Sequence, residues 1–199
     1  MEIKSFTPTE YFGSNSYVLI SDGEAAIIDP SMHYKTITEA LGKDLKFKYI
    51  ILTHVHFDHM WYIDEWKELS GAKVLVGAED VPALTDSNLN AYRVFLGKDK
   101  TYTKEYSCVK NGDVLNLGSE SLTVIDTPGH TKGGISIFTD GAVFVGDTVF
   151  SKTSIGRTDL PGGDYNQLLD SIKKIISLPK ETIVYPGHGE VTTVYEIIN

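Results

Sequence analysis

Thr53-His54-Val55-His56-Phe57-Asp58-His59 places three imidazoles and one carboxylate within six consecutive positions. Neutral imidazole nitrogens and carboxylate oxygens together suit zinc, iron or manganese, and a cluster this dense reads as a metal site rather than as a set of core histidines. Pro-Gly-His occurs twice more distantly, ending at His130 and His188, each time after a β-rich run. Proline stops strand pairing there, and glycine allows a tight turn where a side chain would collide. A further carboxylate, Asp147, closes the apolar run Phe144-Val-Gly-Asp147, a costly place for a charge unless it is paired or metal-bound. The set His54, His56, Asp58, His59, His130, Asp147 and His188 offers seven groups, enough for two divalent ions with a shared aspartate and open positions for water. No thiolate stands among them, which argues against a closed structural zinc site, and open positions imply catalysis.

These groups need elements to position them. Lys48 to Thr53 is β-branched and aromatic, so it predicts a buried strand delivering His54. If the chain stays extended, His54 and His56 project to one side, about 6 to 7 Å apart at roughly 3.3 Å per residue. Asp58 and His59 then open a helical stretch that ends before Gly71. Further helices are predicted over 34–41, 81–91 and 165–178, with one-sided apolar patterns that suit the outside of a layered fold.

The chain also repeats itself. Tyr17 to Asp29 holds two short apolar runs around Asp22-Gly23, a hairpin signal, and Ile135 to Asp147 holds the same pattern around Asp140-Gly141. In both, an aspartate follows seven positions after the turn aspartate. The strand ending at His54 likewise has a counterpart ending at His188. Two related halves of strands and helices, with two sheets packed face to face, would bring these ends together. With no low-complexity linker, residues 1–199 read as one compact domain.

The formal charge of −9 argues against a nucleic-acid or anionic-membrane partner, because phosphate binding needs a cationic footprint. Cys108 is the lone cysteine and cannot form an internal disulfide. It reads as a small buried or partly exposed residue rather than a nucleophile. The amino terminus has no secretion-signal pattern and no apolar run is long enough to span a bilayer, so the expectation is a cytoplasmic protein. His33 stands without companions and reads as a surface or helix-start residue. Asp29 has two equal readings, a support that orients the His54 loop or a plain turn aspartate.

Assembled, the motifs resemble those of the metallo-β-lactamase superfamily, most closely the short glyoxalase II-like hydrolases. The resemblance runs from the hairpin ending at Asp29 through His-x-His-x-Asp-His, His130 and Asp147 to His188. It implies an α/β fold, a four-layered αββα sandwich, in which His54, His56 and His130 hold a first metal. Asp58, His59 and His188 hold a second, and Asp147 bridges the pair. The stretch Ser154 to Asp164 also resembles that subgroup, where it flanks the site. In it Arg157, one of two arginines, serves either an ion pair or a substrate contact. Full-length glyoxalase II enzymes carry a basic helical extension that holds glutathione, whereas this chain ends eleven residues after His188. The polar segment 86–106, with Arg93, Lys98, Lys100 and Lys104, is then either a substitute lid or an ordinary solvated loop.

The expected activity is hydrolysis of a small thioester, anionic because two divalent ions against two carboxylates leave a positive centre. The attacking group would be a hydroxide bridging two metals, zinc foremost with iron or manganese as alternatives, and Asp58 would be the proton carrier. The rival expectation is a persulfide dioxygenase with a single iron. Flavodiiron chemistry fits less well, since His56 occupies the place of a glutamate in that pattern. A β-lactamase is disfavoured because many of those enzymes have a cysteine about where Asp147 stands. Oligomeric state is not legible.

Overall fold

A computed structural model describes residues 1–9, 13–42, 44–151 and 154–199. Six strands form the first sheet in chain order: β1 (Glu2–Phe6), β2 (Ser16–Ser21), β3 (Glu24–Ile28), β4 (Lys46–Ile51), β5 (Lys73–Gly77) and β6 (Ser107–Val109). The second sheet contains β7 (Val114–Leu117), β8 (Glu120–Asp126), β9 (Ile135–Thr139), β10 (Ala142–Gly146), β11 (Ile183–Pro186) and β12 (Thr192–Thr193), again in sequential spatial order. Helices α1 (Tyr34–Leu41), α2 (Ile63–Ser70), α3 (Tyr92–Leu96), α4 (Tyr165–Ile176) and α5 (Val194–Ile198) complete the fold.

The layering follows from strands that are apolar on both faces, as expected where helices cover a sheet. On β2, Tyr17 and Leu19 point into the layer between the sheets, where they meet Leu122, Val124, Ile137 and Phe144. The alternate residues Val18 and Ile20 face the other way, toward Ile37 of α1 and Trp66 of α2. Val143 and Val145 of β10 turn to Ile175 of α4 and Val194 of α5. The result is the expected four-layered αββα sandwich. Trp66 anchors the first outer layer: fully buried, it packs edge-on against Tyr34 and Phe47, and its indole N–H donates to the Met32 carbonyl at 2.8 Å.

The internal repeat is present in the topology. In the first half, β2 pairs antiparallel with β3, and β3 pairs parallel with β4 after a crossover through α1. In the second, β9 pairs antiparallel with β10, and β10 pairs parallel with β11 after α4.

Two predicted boundaries move. The strand before His54 ends at Ile51, and the segment that carries Asp58 and His59 is a set of turns, with α2 starting only at Ile63. Those turns are held by bonds a helix would not make: Phe57 N–H donates to the Asn90 carbonyl, at 3.0 Å, and His59 N–H to the His56 carbonyl, at 3.1 Å. The helix expected over 81–91 is instead a 3-10 stretch, Ala78–Leu84, followed by turns and then α3. Pro82 lies inside it, in what would be the first turn of the expected helix, where its missing N–H costs nothing. Asp86 then caps the next turn by accepting from Asn88 N–H at 2.8 Å.

Candidate metal centre

Every predicted ligand lies just beyond a strand, at one edge of the sandwich. His54 and His56 follow β4, Asp58 and His59 the turns after it, His130 the loop after β8, Asp147 β10 and His188 β11. Three groups have potential ligand atoms within 4.8 Å of one another: His54, His56 and His130; His54, His59 and Asp147; and Asp58, His59 and His188. Asp147 sits between them, with Oδ1 3.3 Å from His59 Nε2 and Oδ2 3.5 and 3.6 Å from the Nε2 atoms of His130 and His188. Asp58 Oδ2 lies 3.1 Å from His188 Nε2. All seven candidates therefore converge.

Whether these residues fit metal ions is tested by their orphaned atoms. His54 Nε2, His56 Nε2, His59 Nε2 and Asp147 Oδ1 are buried and have no hydrogen-bond partner. Unpaired buried polar atoms are costly, and those of His54, His59 and Asp147, three residues whose ligand atoms lie within 4.8 Å of one another, call for a cation. The other edges of the rings are accounted for. His59 Nδ1 lies 2.8 Å from Asp29 Oδ2, and His130 Nδ1 lies 2.7 Å from the Arg157 carbonyl. Both contacts require an N–H at Nδ1 and so turn the Nε2 edges toward the cluster, where His130 Nε2 lies 2.9 Å from His56 Nδ1. His54 Nδ1 lies 3.2 Å from Thr53 Oγ1, whose hydroxyl donates onward to Asp29 Oδ2 at 2.7 Å.

Electrostatics divide the cluster. Burial, followed by the neighbouring imidazoles, holds His54 well below the usual histidine range, and burial with His130 lowers His56 to about 3. Both are thereby held in the neutral form. Burial also opposes a charge on His59, but Asp29, Asp147 and Asp58 outweigh it and hold its pKa well above normal. Burial likewise opposes ionisation of Asp58 and Asp147, yet the adjacent imidazoles keep both below the usual carboxylate range.

Asp29 is a support, not merely a turn residue. At φ 53 it turns its carboxylate to accept Thr53 N–H at 2.8 Å as well as the Thr53 hydroxyl and the His59 ring. Two further supports carry no local sequence signal. Asp80 accepts from Val55 N–H, between His54 and His56, and from Thr131 Oγ1 and Gly133 N–H beside His130, at 3.1, 2.8 and 2.6 Å. Asn15 Nδ2 donates to the carbonyls of Pro186 and Gly189, and so brackets His188.

A cavity of about 240 Å³ opens beside the cluster, lined on one side by His56, Asp58, His130, Asp147 and His188. Arg157 reaches its rim, but its guanidinium is engaged by both oxygens of Asp159 at 2.7 and 2.6 Å, the ion-pair reading. Segment 86–106 contributes Ala91 and Phe95 to the lining. It is pinned by Asn90, whose Nδ2 donates to the Ala83 and Lys100 carbonyls, and by Lys100 Nζ, which donates to the Trp61 carbonyl. His33 is exposed at the start of α1, with Nδ1 2.8 Å from Glu65 Oε2, and Cys108 is exposed on β6. Neither belongs to the cluster.

The αββα sandwich with an imidazole and carboxylate cluster at one edge defines a class of metal-dependent hydrolases, and residues 10–188 match the model of the metallo-beta-lactamase superfamily. The chain belongs to that superfamily. It is 36% identical over 185 residues to the probable metallo-hydrolase YqgX of Bacillus subtilis, covering 91% of this chain and 87% of the relative. It is 30% identical over 199 residues to the hydroxyacylglutathione hydrolase GloC of Haemophilus influenzae, covering 98% and 93%. Among solved structures, the BLEG-1 B3 metallo-beta-lactamase superposes with a TM-score of 0.90 at 35% identity, covering 98% of this chain and 95% of that one. Among the described residues, no helix is long and apolar enough to cross a membrane.

Proposed function

We propose that this chain is a thioester hydrolase with a dinuclear centre, His54, His56 and His130 holding one divalent ion, Asp58, His59 and His188 the other, and Asp147 shared. Zinc is the first candidate. Such ions would supply Lewis acidity and lower the pKa of bound water from 15.7 to about 7.

One observation carries the thioester reading. Of the described residues that line the cavity, the titratable ones are the ligand candidates themselves and Arg157, whose charge Asp159 already matches. Asp58, as a ligand, would be bound as the carboxylate and so has no proton to donate. A leaving group that departs without a donated proton suits such a site, and a thiol with a pKa near 8.5 is one, unlike an alcohol or an amine. The likeness to a hydroxyacylglutathione hydrolase supports the same substrate class. The rest of the machinery positions: Asp29 fixes the His59 ring, the Arg157 carbonyl fixes that of His130, and Phe57 and Phe95 shield the cavity.

The test is metal content by mass spectrometry on protein purified anaerobically, followed by turnover of acylated thiols and β-lactams by the same preparation, with thiol release read by a disulfide reagent. About two ions per chain and thioester turnover are expected. Turnover of β-lactams alone would sink the reading, as would one iron per chain with oxygen consumed on a persulfide.

A further inference from the structure

The cavity beside the cluster has a second wall that the metal site does not explain. Phe57 lies between the ligand candidates His56 and Asp58, and its ring meets those of Trp61, Tyr92 and Phe95 at centroid distances of 5.6, 5.5 and 5.8 Å. Ala91 enters α3 at φ 64, a left-handed conformation that costs a non-glycine residue, and yet its methyl is buried against the cavity. The Asn90 bonds described above hold that conformation in place. Strain kept where a cavity is shaped, rather than at a free loop tip, marks a wall with a role. Leu160 also lines the cavity, and the Arg157 guanidinium lies 5.6 Å above the Phe95 ring, its charge matched by Asp159. The Arg157 carbonyl lies 2.7 Å from His130 Nδ1, which links this wall to the cluster.

Resting on the thioester reading, we infer that Phe57, Ala91, Phe95 and Leu160 form a selectivity pocket for the acyl half of the substrate, built for a compact, uncharged, apolar chain. The volume of about 240 Å³ is shared with the ligand candidates that line it and lies below the 300 to 1,000 Å³ usual for whole ligands, so the space beside the cluster suits a fragment of a substrate. Phe95 is 42% exposed, an apolar ring held at the rim where an entering chain would cover it.

The experiment uses the metal-loaded enzyme and acetyl, butyryl, hexanoyl and decanoyl thioesters of one small neutral thiol, N-acetylcysteamine. The expected kcat/KM rises about four-fold per methylene, from the burial of each CH₂, and falls once the chain outgrows the cavity. Phe95→Ala should bring the hexanoyl-to-acetyl ratio to within about ten-fold. Ala91→Gly, which removes the methyl and relaxes the backbone, should shift the optimum by about one methylene toward longer chains, and it keeps the test valid if Phe95→Ala unravels α3. A flat wild-type profile, or one that both substitutions leave in place, overturns the pocket. Calorimetric binding of straight-chain carboxylates of the same lengths separates the two readings. If no thioester is turned over but carboxylate affinity shows the same optimum and the same shifts, the thioester reading fails and the pocket stands. If affinity is indifferent to length, the pocket fails by itself.

Discussion

The two halves of the molecule use the same piece of chain for different purposes. Asp29 and Asp147 each follow the second strand of an Asp-Gly hairpin, and each neighbours a parallel strand that leads to a histidine, His54 or His188. Asp29 nevertheless stays behind the cluster, while Asp147 enters it. The residue before each histidine decides this. In the first half it is Thr53, whose N–H and hydroxyl both bond to Asp29 and hold the carboxylate back. In the second half it is Gly187, where a Cβ would collide with Asp147 Oδ1 and His59 Cε1. A missing side chain gives one carboxylate room to enter the cluster, and a threonine turns its twin into a support.

The comparison breaks most visibly at Asp147. Asp147→Ala should lose most bound metal and lower kcat/KM by about 10³-fold, because a Lewis-acid centre is worth several kcal/mol. Metal analysis and turnover on the same sample check it, and a variant with full metal and full activity would end the assignment. Gly187→Ala comes next. It leaves every ligand in the sequence but pushes Asp147 or His59 aside, and a displacement of about 1 Å costs roughly 10²-fold. Reduced kcat with metal retained is the expected signature. Normal kcat would mean that Gly187 does not provide the passage.

Asp29→Asn tests the supporting half. One amide oxygen cannot serve the three donors that now reach Asp29, so the His59 ring loses its fixed tautomer. Loss of such an outer partner lowers metal affinity by 10 to 100-fold. Competition with a chromophoric chelator measures it. An affinity unchanged from the parent would return Asp29 to the status of a turn residue.

How much of this was legible depends on how local each cause is. The His-x-His-x-Asp-His cluster, the two Pro-Gly-His motifs and the hairpins are written in contiguous residues, and the strands announce themselves because both faces are apolar. Asp80 is invisible in the sequence, since its three donors stand 25, 51 and 53 residues away. Asn15 likewise reaches carbonyls 171 and 174 positions distant. The helix expected over 81–91 follows its apolar spacing, but the Asp86 turn and the αL conformation at Ala91 override that pattern. The contrast between Asp29 and Asp147 was half legible: the equivalence is in the repeat, and the difference lies in Thr53 and Gly187, whose effect requires the two sheets to be packed.

The smallest effect tests whether the halves are equivalent away from the cluster. Gly23 and Gly141 occupy the same place in the two hairpins, at φ 79 and 77, and a Cβ at either would meet nothing within 4 Å. Collision therefore plays no part, and the cost of alanine is only that of holding an L-residue in a left-handed conformation, about 1 kcal/mol. For a chain of this size that lowers the melting temperature by about 2 to 4 °C. Gly23→Ala and Gly141→Ala should show equal shifts by calorimetry, with unchanged metal content and turnover. Unequal shifts would show that the repeat is one of outline only, with the second hairpin's turn under constraints that the first does not share.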